Sequence, residues 1–292
     1  MNKAIASAAE ELRQEALLHV RRNELDRALE LYDEALSLAS EDDLRELITI
    51  NKADVLISLG RTGPEVTELA RVIMRRRSPR HVCLAAYALL YKHRMEQDFK
   101  RALFYGQLAL RAAEEFGDRE YLRAVLVDLG NVYEMQSEVA RAIECFESAL
   151  QLIGETEESD RRSRAYTLEN LGYCRLLEGQ IDQGLTLIHQ ALPALDDDTG
   201  RAEACIDLCF AYLEKAQFDV ARSYGEEGLK LAAEERQVRN AHFLLGEVAC
   251  KQEDTAAADF HFGALSKFYP GFRHLKNLLM AVDLRSMVNL KA

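Results

Sequence analysis

The sequence predicts an all-α, right-handed solenoid of about seven helix pairs, closed by a C-terminal capping helix. Three observations carry that expectation. Ala, Leu, Glu and Arg dominate the composition, and these residues lose little side-chain freedom in a helix. The 292 residues include only 4 prolines and 15 glycines, so few places are built to stop a helix, and few segments show the Val/Ile/Thr alternation of strands. Finally, one pattern of small and apolar residues recurs seven times at intervals of 37 to 42 residues.

The pattern is clearest at Leu126, Leu129, Gly130 and Tyr133, which share one helical stripe, followed by Ala142, Phe146 and Ala149 on a second. Gly130 and Ala142 are small because two antiparallel helices must approach closely there. With Gly130 as marker, the seven copies run Ala16, Ala53, Leu90, Gly130, Gly172, Cys209 and Gly246. Twelve residues beyond the markers stand Ala28, Glu65, Ala102, Ala142, Gly184, Ala221 and Ala258. Sixteen beyond come Tyr32, Leu69, Gly106, Phe146, Ile188, Gly225 and Phe262. Nineteen beyond come Ala35, Val72, Ala109, Ala149, Ala191, Gly228 and Leu265. The second and third copies depart from the rule, with Glu65 at a small-residue position and Leu90 at the marker, so altered packing is expected there. The connections Glu41 to Asp43, Glu155 to Asp160 and Asp196 to Asp198 are acidic, which suits solvated loops and helix starts.

No low-complexity linker interrupts residues 1–271, which are expected to form the array; 272–292 are expected to cap it. Leu275, Leu278, Leu279 and Val282 make one stripe suited to covering the seventh pair. Leu284, Met287 and Val288 begin another, left for a partner, a second chain or a bend near Asp283.

This spacing resembles the tetratricopeptide repeat in its main features, lacking the leading Trp and, in all copies but the last (Pro270), the trailing Pro. The long period together with Leu129-Gly130-Asn131 is similar to the repeats of kinesin light chain and of spindle-orientation adaptors. The resemblance implies a superhelix whose first helices line a concave surface that binds a peptide or protein. Carried along the chain, that face presents Tyr87, Tyr91, Asn131, Tyr166, Asn170, Tyr173 and Phe210 as candidate peptide-binding residues, with Arg94 and Phe243 beside them. Asn51 and Asp54 extend it through the first pairs, and Val127 and Glu134 flank Asn131 by a turn. Asp128, Glu169, Asp207 and Glu247 join it and favour basic residues in the bound segment. Rings with polar tips beside amides suit an extended or helical peptide. Asn131 and Asn170 match the asparagines of the carboxylate clamp of chaperone-binding repeats. Its basic partners are replaced by Val127, Glu203 and Asp207, so a terminal carboxylate is not the expected ligand. Truncation of Tyr173 or Asn131 is expected to weaken partner binding at little cost in folding stability.

Composition points the same way. The net charge is −12, from 49 acidic and 37 basic residues, against the basic excess of most nucleic-acid binders. Neither a signal peptide nor a membrane span is expected from the apolar runs, and the 6 cysteines read as reduced, buried residues of a cytoplasmic protein. Cys205 and Cys209, one turn apart, lack neighbours to complete a metal site; P-loop, GxGxxG, GxSxG and HExxH patterns are missing. The cluster Arg71, Arg75, Arg76, Arg77, Arg80 and His81 is expected to be a solvated helix end, with an acidic-protein, phosphate or nucleic-acid contact as the alternative. The expectation is therefore a non-enzymatic cytoplasmic adaptor without cofactor, binding a protein or peptide and neither nucleic acid nor membrane. The rival is a peptide- or ligand-sensing regulator of an enzyme or transcription factor.

Overall fold

A computed structural model describes residues 2–154, 158–269, 272–282 and 289–291, with the side chains of 2–6, 158–159 and 272–275 outside the description. Among the described residues every regular element is a helix. The chain divides into two compact units, Met1–Val132 and Tyr133–Ala292. The first holds α1 (Asn2–Arg21), α2 (Leu25–Leu38), α3 (Asp42–Ser58), α4 (Pro64–Arg75), α5 (Pro79–Met95), α6 (Phe99–Phe116) and most of α7 (Arg119–Met135). The second holds the end of α7, α8 (Val139–Leu152), α9 (Glu158–Leu177), α10 (Ile181–Ala191), α11 (Asp198–Glu214) and α12 (Phe218–Leu231). It continues through α13 (Glu235–Lys251), α14 (Thr255–Ala264) and α15 (Phe272–Ala281). No helix among the described residues is long and apolar enough to cross a membrane.

Local chemistry sets the helix starts. Pro64 and Pro79 open α4 and α5, where a missing N–H costs nothing. The side chains of Ser78, Asp98, Asp197 and Asp254 accept from the backbone N–H of His81, Arg101, Gly200 and Ala257, which would otherwise lack partners.

All seven markers fall on odd-numbered helices, α1 to α13, and all are buried. Seven residues beyond each marker the backbone turns left-handed, at Asn23, Gly60, Gln97, Ser137, Gly179, Ala216 and Glu253. One residue later the N–H donates back to the carbonyl five residues earlier, from Glu24 to His19 through Asp254 to Ala249, at 2.8–2.9 Å in all seven copies. This six-to-one closure satisfies the carbonyls at the end of the first helix and aims the second helix back along it.

The turn brings marker and partner face to face, and their sizes are complementary. A Cβ on Gly246 would lie 2.3 Å from the Phe262 ring, and one on Gly172 would lie 2.6 Å from Ile188. The third copy keeps the rule with the sizes exchanged. Leu90 stands at the marker and Gly106 opposite it, where a Cβ would meet Leu90 at 3.4 Å and Leu129 at 2.4 Å. The second copy accommodates Glu65 in the first turn of α4, paired with Lys52 at 2.8 Å.

At the C-terminal end, Leu279 is buried in the second unit's core and Met280 packs against it, whereas Leu278 and Val282 are exposed. Leu284, Met287 and Val288 lie outside the described residues, as does the Leu275 side chain.

The left-handed turns yield a test. Ala216 adopts φ 55°, a conformation costing an L-residue about 1–2 kcal/mol, whereas Gly179 holds the equivalent place at φ 78° with open space around a prospective Cβ. Ala216→Gly should therefore stabilise the protein by about 0.5–1 kcal/mol after the backbone entropy of glycine, and Gly179→Ala should destabilise it by about 1 kcal/mol. Denaturant titration of both variants checks the opposite signs.

Candidate functional site

With one face of each first helix committed to its partner helix, positions six, three and two before the marker, and one and four after it, share the opposite face. In the second unit these positions supply Glu203 and Asn240, Glu169, Asp207, Tyr173 and Glu247, and Glu134. All five carboxylates are buried, Asp207 completely. Buried carboxylates need cations or strong donors, since desolvating a charge without them costs several kcal/mol.

Two cations meet that demand. The Arg236 guanidinium grips Glu203 through two parallel bonds of 2.8 and 2.9 Å, with Gln237 donating to the same carboxylate at 3.0 Å. Lys291, far away in sequence, places its ammonium 2.8 Å from Glu169, 2.8 Å from Glu203 and 3.1 Å from Asp207. The same nitrogen sits 5.0 Å from the centre of the Tyr173 ring, a cation–π distance.

The residues around Lys291 are held through their main chain as well. The Leu290 N–H donates to the Tyr173 hydroxyl at 2.8 Å, and the Leu290 carbonyl accepts from Asn240 at 2.6 Å and Arg236 at 3.2 Å. Asn289 accepts from the Tyr173 hydroxyl at 3.2 Å and donates to the Glu134 carbonyl at 2.8 Å. The Leu290 side chain is buried among the apolar residues of the unit.

Burial raises the Glu134 carboxyl from its ordinary 4.5 to about 8, with Lys291 opposing the shift. Burial likewise pushes Asp207 well above the usual carboxylate range. Glu203 is also desolvated, but Lys291 and Arg236 outweigh burial and hold it well below that range. Desolvation works against the Lys291 ammonium, yet Asp207, Glu169 and Glu203 overcome it and carry its pKa well above the ordinary value.

The expected site residues occupy different settings. In the first unit, Tyr87 and Tyr91 on α5 are half-buried; burial and then the nearby Asp128 carboxylate raise the Tyr87 hydroxyl well above its ordinary pKa, Asp128 pairs with Arg94 at 3.2 Å, and Arg94 lies 5.2 Å from the centre of the Tyr91 ring. Asn131 on α7 is half-buried. In the second unit, Asn170 is half-buried, and Tyr166 donates its hydroxyl to Asp197, the residue capping α11. Phe210 is buried in the core. Tyr173 has no exposed surface, contrary to the expectation of an open groove residue; residues 289–291 lie against its ring and hydroxyl. Truncating it would therefore cost stability too.

Other candidates resolve more simply. Arg75 pairs with Glu46 and Glu68, Arg71 with Glu68 and Arg77 with Asp42, while His81 bonds Glu46 at 2.8 Å, so acids of the first unit neutralise much of the basic cluster. Cys205 and Cys209 are buried, which pushes their thiols up to about 11 and about 12, and among the described residues no group of three His, Cys, Asp or Glu side chains could hold a metal ion. A cleft of about 1000 Å³ in the second unit, lined by residues such as Arg201, Tyr224 and Lys230, includes none of the five carboxylates.

Arg236, Asn240 and residues 289–291 have no counterpart among the expected site residues. Asn240 shares the register of Glu203, six before its marker, and could have been found by that rule; Asn289 to Lys291 carry no repeat register at all.

The Glu134 shift gives a pH dependence. Between about 4.5 and about 8 the folded state holds a proton that the unfolded state has lost, so this group's contribution to stability falls as pH rises through that window. Glu134→Gln keeps the shape and removes the titration. The variant's stability advantage should grow from near zero at acidic pH to roughly 3 kcal/mol above pH 8, scaled from 1.36 kcal/mol per pH unit and reduced for relaxation. Denaturant melts across that range measure it; a difference that does not vary with pH would contradict the assignment.

No family model matches the sequence, and no curated protein matches it. Solved structures do. A tetratricopeptide repeat protein from Parabacteroides merdae superposes with a TM-score of 0.56 at 14% identity, covering 97% of this chain and 100% of that one. A Rap protein complexed with Competence and Sporulation Factor gives 0.68 at 17% identity over 98% of this chain and 79% of that one. NprR in complex with its cognate peptide NprX gives 0.67 at 17% identity over 91% and 80%. At these identities the likeness concerns the fold. Together with seven equivalent turns and seven buried markers, it shows that this chain has the tetratricopeptide-repeat fold.

Proposed function

We propose that the chain is a non-enzymatic adaptor that binds an extended protein or peptide segment against its first-helix faces. One observation carries the reading: α9, α11 and α13 hold the short stretch 289–291 as a peptide is held. The main chain of Leu290 is bonded on both sides, and the side chain of Lys291 is read by three carboxylates. Asn170 and Tyr166 would extend contacts along the second unit, and Phe210 would support them from the core. Tyr87, Tyr91 and Asn131 would offer a surface of their own in the first unit. The bound segment is basic, which the acidic face favours, and α15 covers the seventh pair through Leu279 and Met280.

The complexes of the Rap protein with Competence and Sporulation Factor and of NprR with its cognate peptide favour a second reading, in which binding changes the shape of the repeat array and so regulates an enzyme or transcription factor. Small-angle scattering with and without bound peptide separates the two: an altered profile supports the regulator, an unchanged one the adaptor.

Selection of a displayed random-peptide library on the full chain tests binding itself. Segments carrying Lys or Arg should be enriched, and Glu169→Gln, which removes the carboxylate that accepts the Lys291 hydrogen bond, should reduce their retention at least about tenfold, the 1.4 kcal/mol scale of one weakened buried ion pair. Absence of enrichment, or enrichment indifferent to Glu169, would remove the reading.

A further inference from the structure

We infer that the acidic face of the second unit is a recognition site for a leucine–lysine pair, and that residues 289–291 fill it as an intramolecular surrogate which a partner's segment displaces. The inference rests on the peptide-binding reading above and adds its ligand chemistry and regulation.

The site divides its contacts as a sequence-reading site does. Contacts to the Leu290 N–H and carbonyl can be made by any residue except proline and fix direction and register. Specificity comes from two side chains. Leu290 is enclosed by apolar neighbours, where a polar residue would lose its water without compensation. At Lys291 the ammonium donates to Glu169 at 2.8 Å and lies within ion-pair distance of the carboxyl groups of Glu203 and Asp207. The ring of Tyr173 faces the same ammonium, and its hydroxyl donates to Asn289 while accepting from Leu290, so its bonding capacity is complete only when the segment is present.

Charge explains why the site is filled. Arg236 already serves Glu203, but among the described residues Lys291 is the cation within ion-pair distance of Glu169 and Asp207. An empty site would leave these buried carboxylates without a cation, so the face demands a lysine from somewhere. The chain supplies one in the same molecule, at an effective concentration that is on the order of millimolar for short connections. A partner must exceed that, which makes the segment a threshold against weak or wrongly sequenced ligands.

The probe is a fluorescein-labelled heptapeptide with the sequence of residues 286–292, Ser-Met-Val-Asn-Leu-Lys-Ala, read by anisotropy against the full chain. Lys291→Ala, which weakens the surrogate, should bind it at least tenfold more tightly than the unaltered chain. The same peptide with Glu in place of Lys should bind neither. Equal affinity for both chains would overturn the surrogate while leaving leucine–lysine recognition and the adaptor reading intact. No binding to a folded Lys291→Ala chain would overturn the recognition site, while basic peptides retained from the library would still support the broader reading. Should Lys291→Ala fail to fold, the unaltered chain decides the matter. In a ¹⁵N-labelled sample the Leu290 amide should exchange slowly alone and at least tenfold faster under saturating unlabelled peptide; an exchange rate unchanged by peptide would overturn displacement.

Discussion

The rest of the architecture depends on how each first helix ends. A left-handed residue seven places after the marker, with the six-to-one hydrogen bond that follows it, returns the chain at a fixed angle and brings the second helix against the marker. Only a small residue on one side of that contact allows the approach, whether it is Gly246 under Phe262 or Gly106 under Leu90 and Leu129. Five of the seven turns place a residue other than glycine in the left-handed region, so tertiary packing outweighs a local cost of about 1–2 kcal/mol at each.

Once that contact is fixed, the opposite face of each first helix is fixed as well, and with it the electrostatics of the second unit. Glu134, Glu169, Glu203, Asp207 and Glu247 are brought to neighbouring positions and buried. The arrangement is unfavourable unless a cation enters, and Lys291 is the cation that lies within ion-pair distance of three of them. Glu134 answers the same constraint differently, by holding its proton to about pH 8. Packing rules thus create a charge problem, and its solution is what a ligand of this face must reproduce.

Much of this was legible in the residues. The marker and its partners at twelve, sixteen and nineteen places could be read in seven copies because helix packing is local and periodic, and every one of the markers is buried. The inverted third copy was harder, since Leu90 looks like a defect until it is paired with Gly106. The acids of the inner face could be read from their register, as could their preference for a basic segment. What supplies that segment could not: Lys291 lies 122 residues from Glu169 and follows no repeat. The burial of Tyr173 was hidden for the same reason, because its cover is non-local. The neutralised Arg75 cluster depends likewise on Glu46, 29 residues earlier.

The central claim is that the buried carboxylates of the second unit hold the Lys291 ammonium out of reach of solvent. Amine acylation reads this directly, because the reagent needs an accessible, deprotonated nitrogen. The Lys291 side chain is 7% exposed with its pKa held well above the ordinary value, whereas that of Lys230 is 74% exposed. Timed acetylation of the native full chain, with site occupancy read by mass spectrometry, should leave Lys291 unmodified after Lys230 has reacted to completion. Acetylation of Lys291 at the rate of Lys230 would contradict the account.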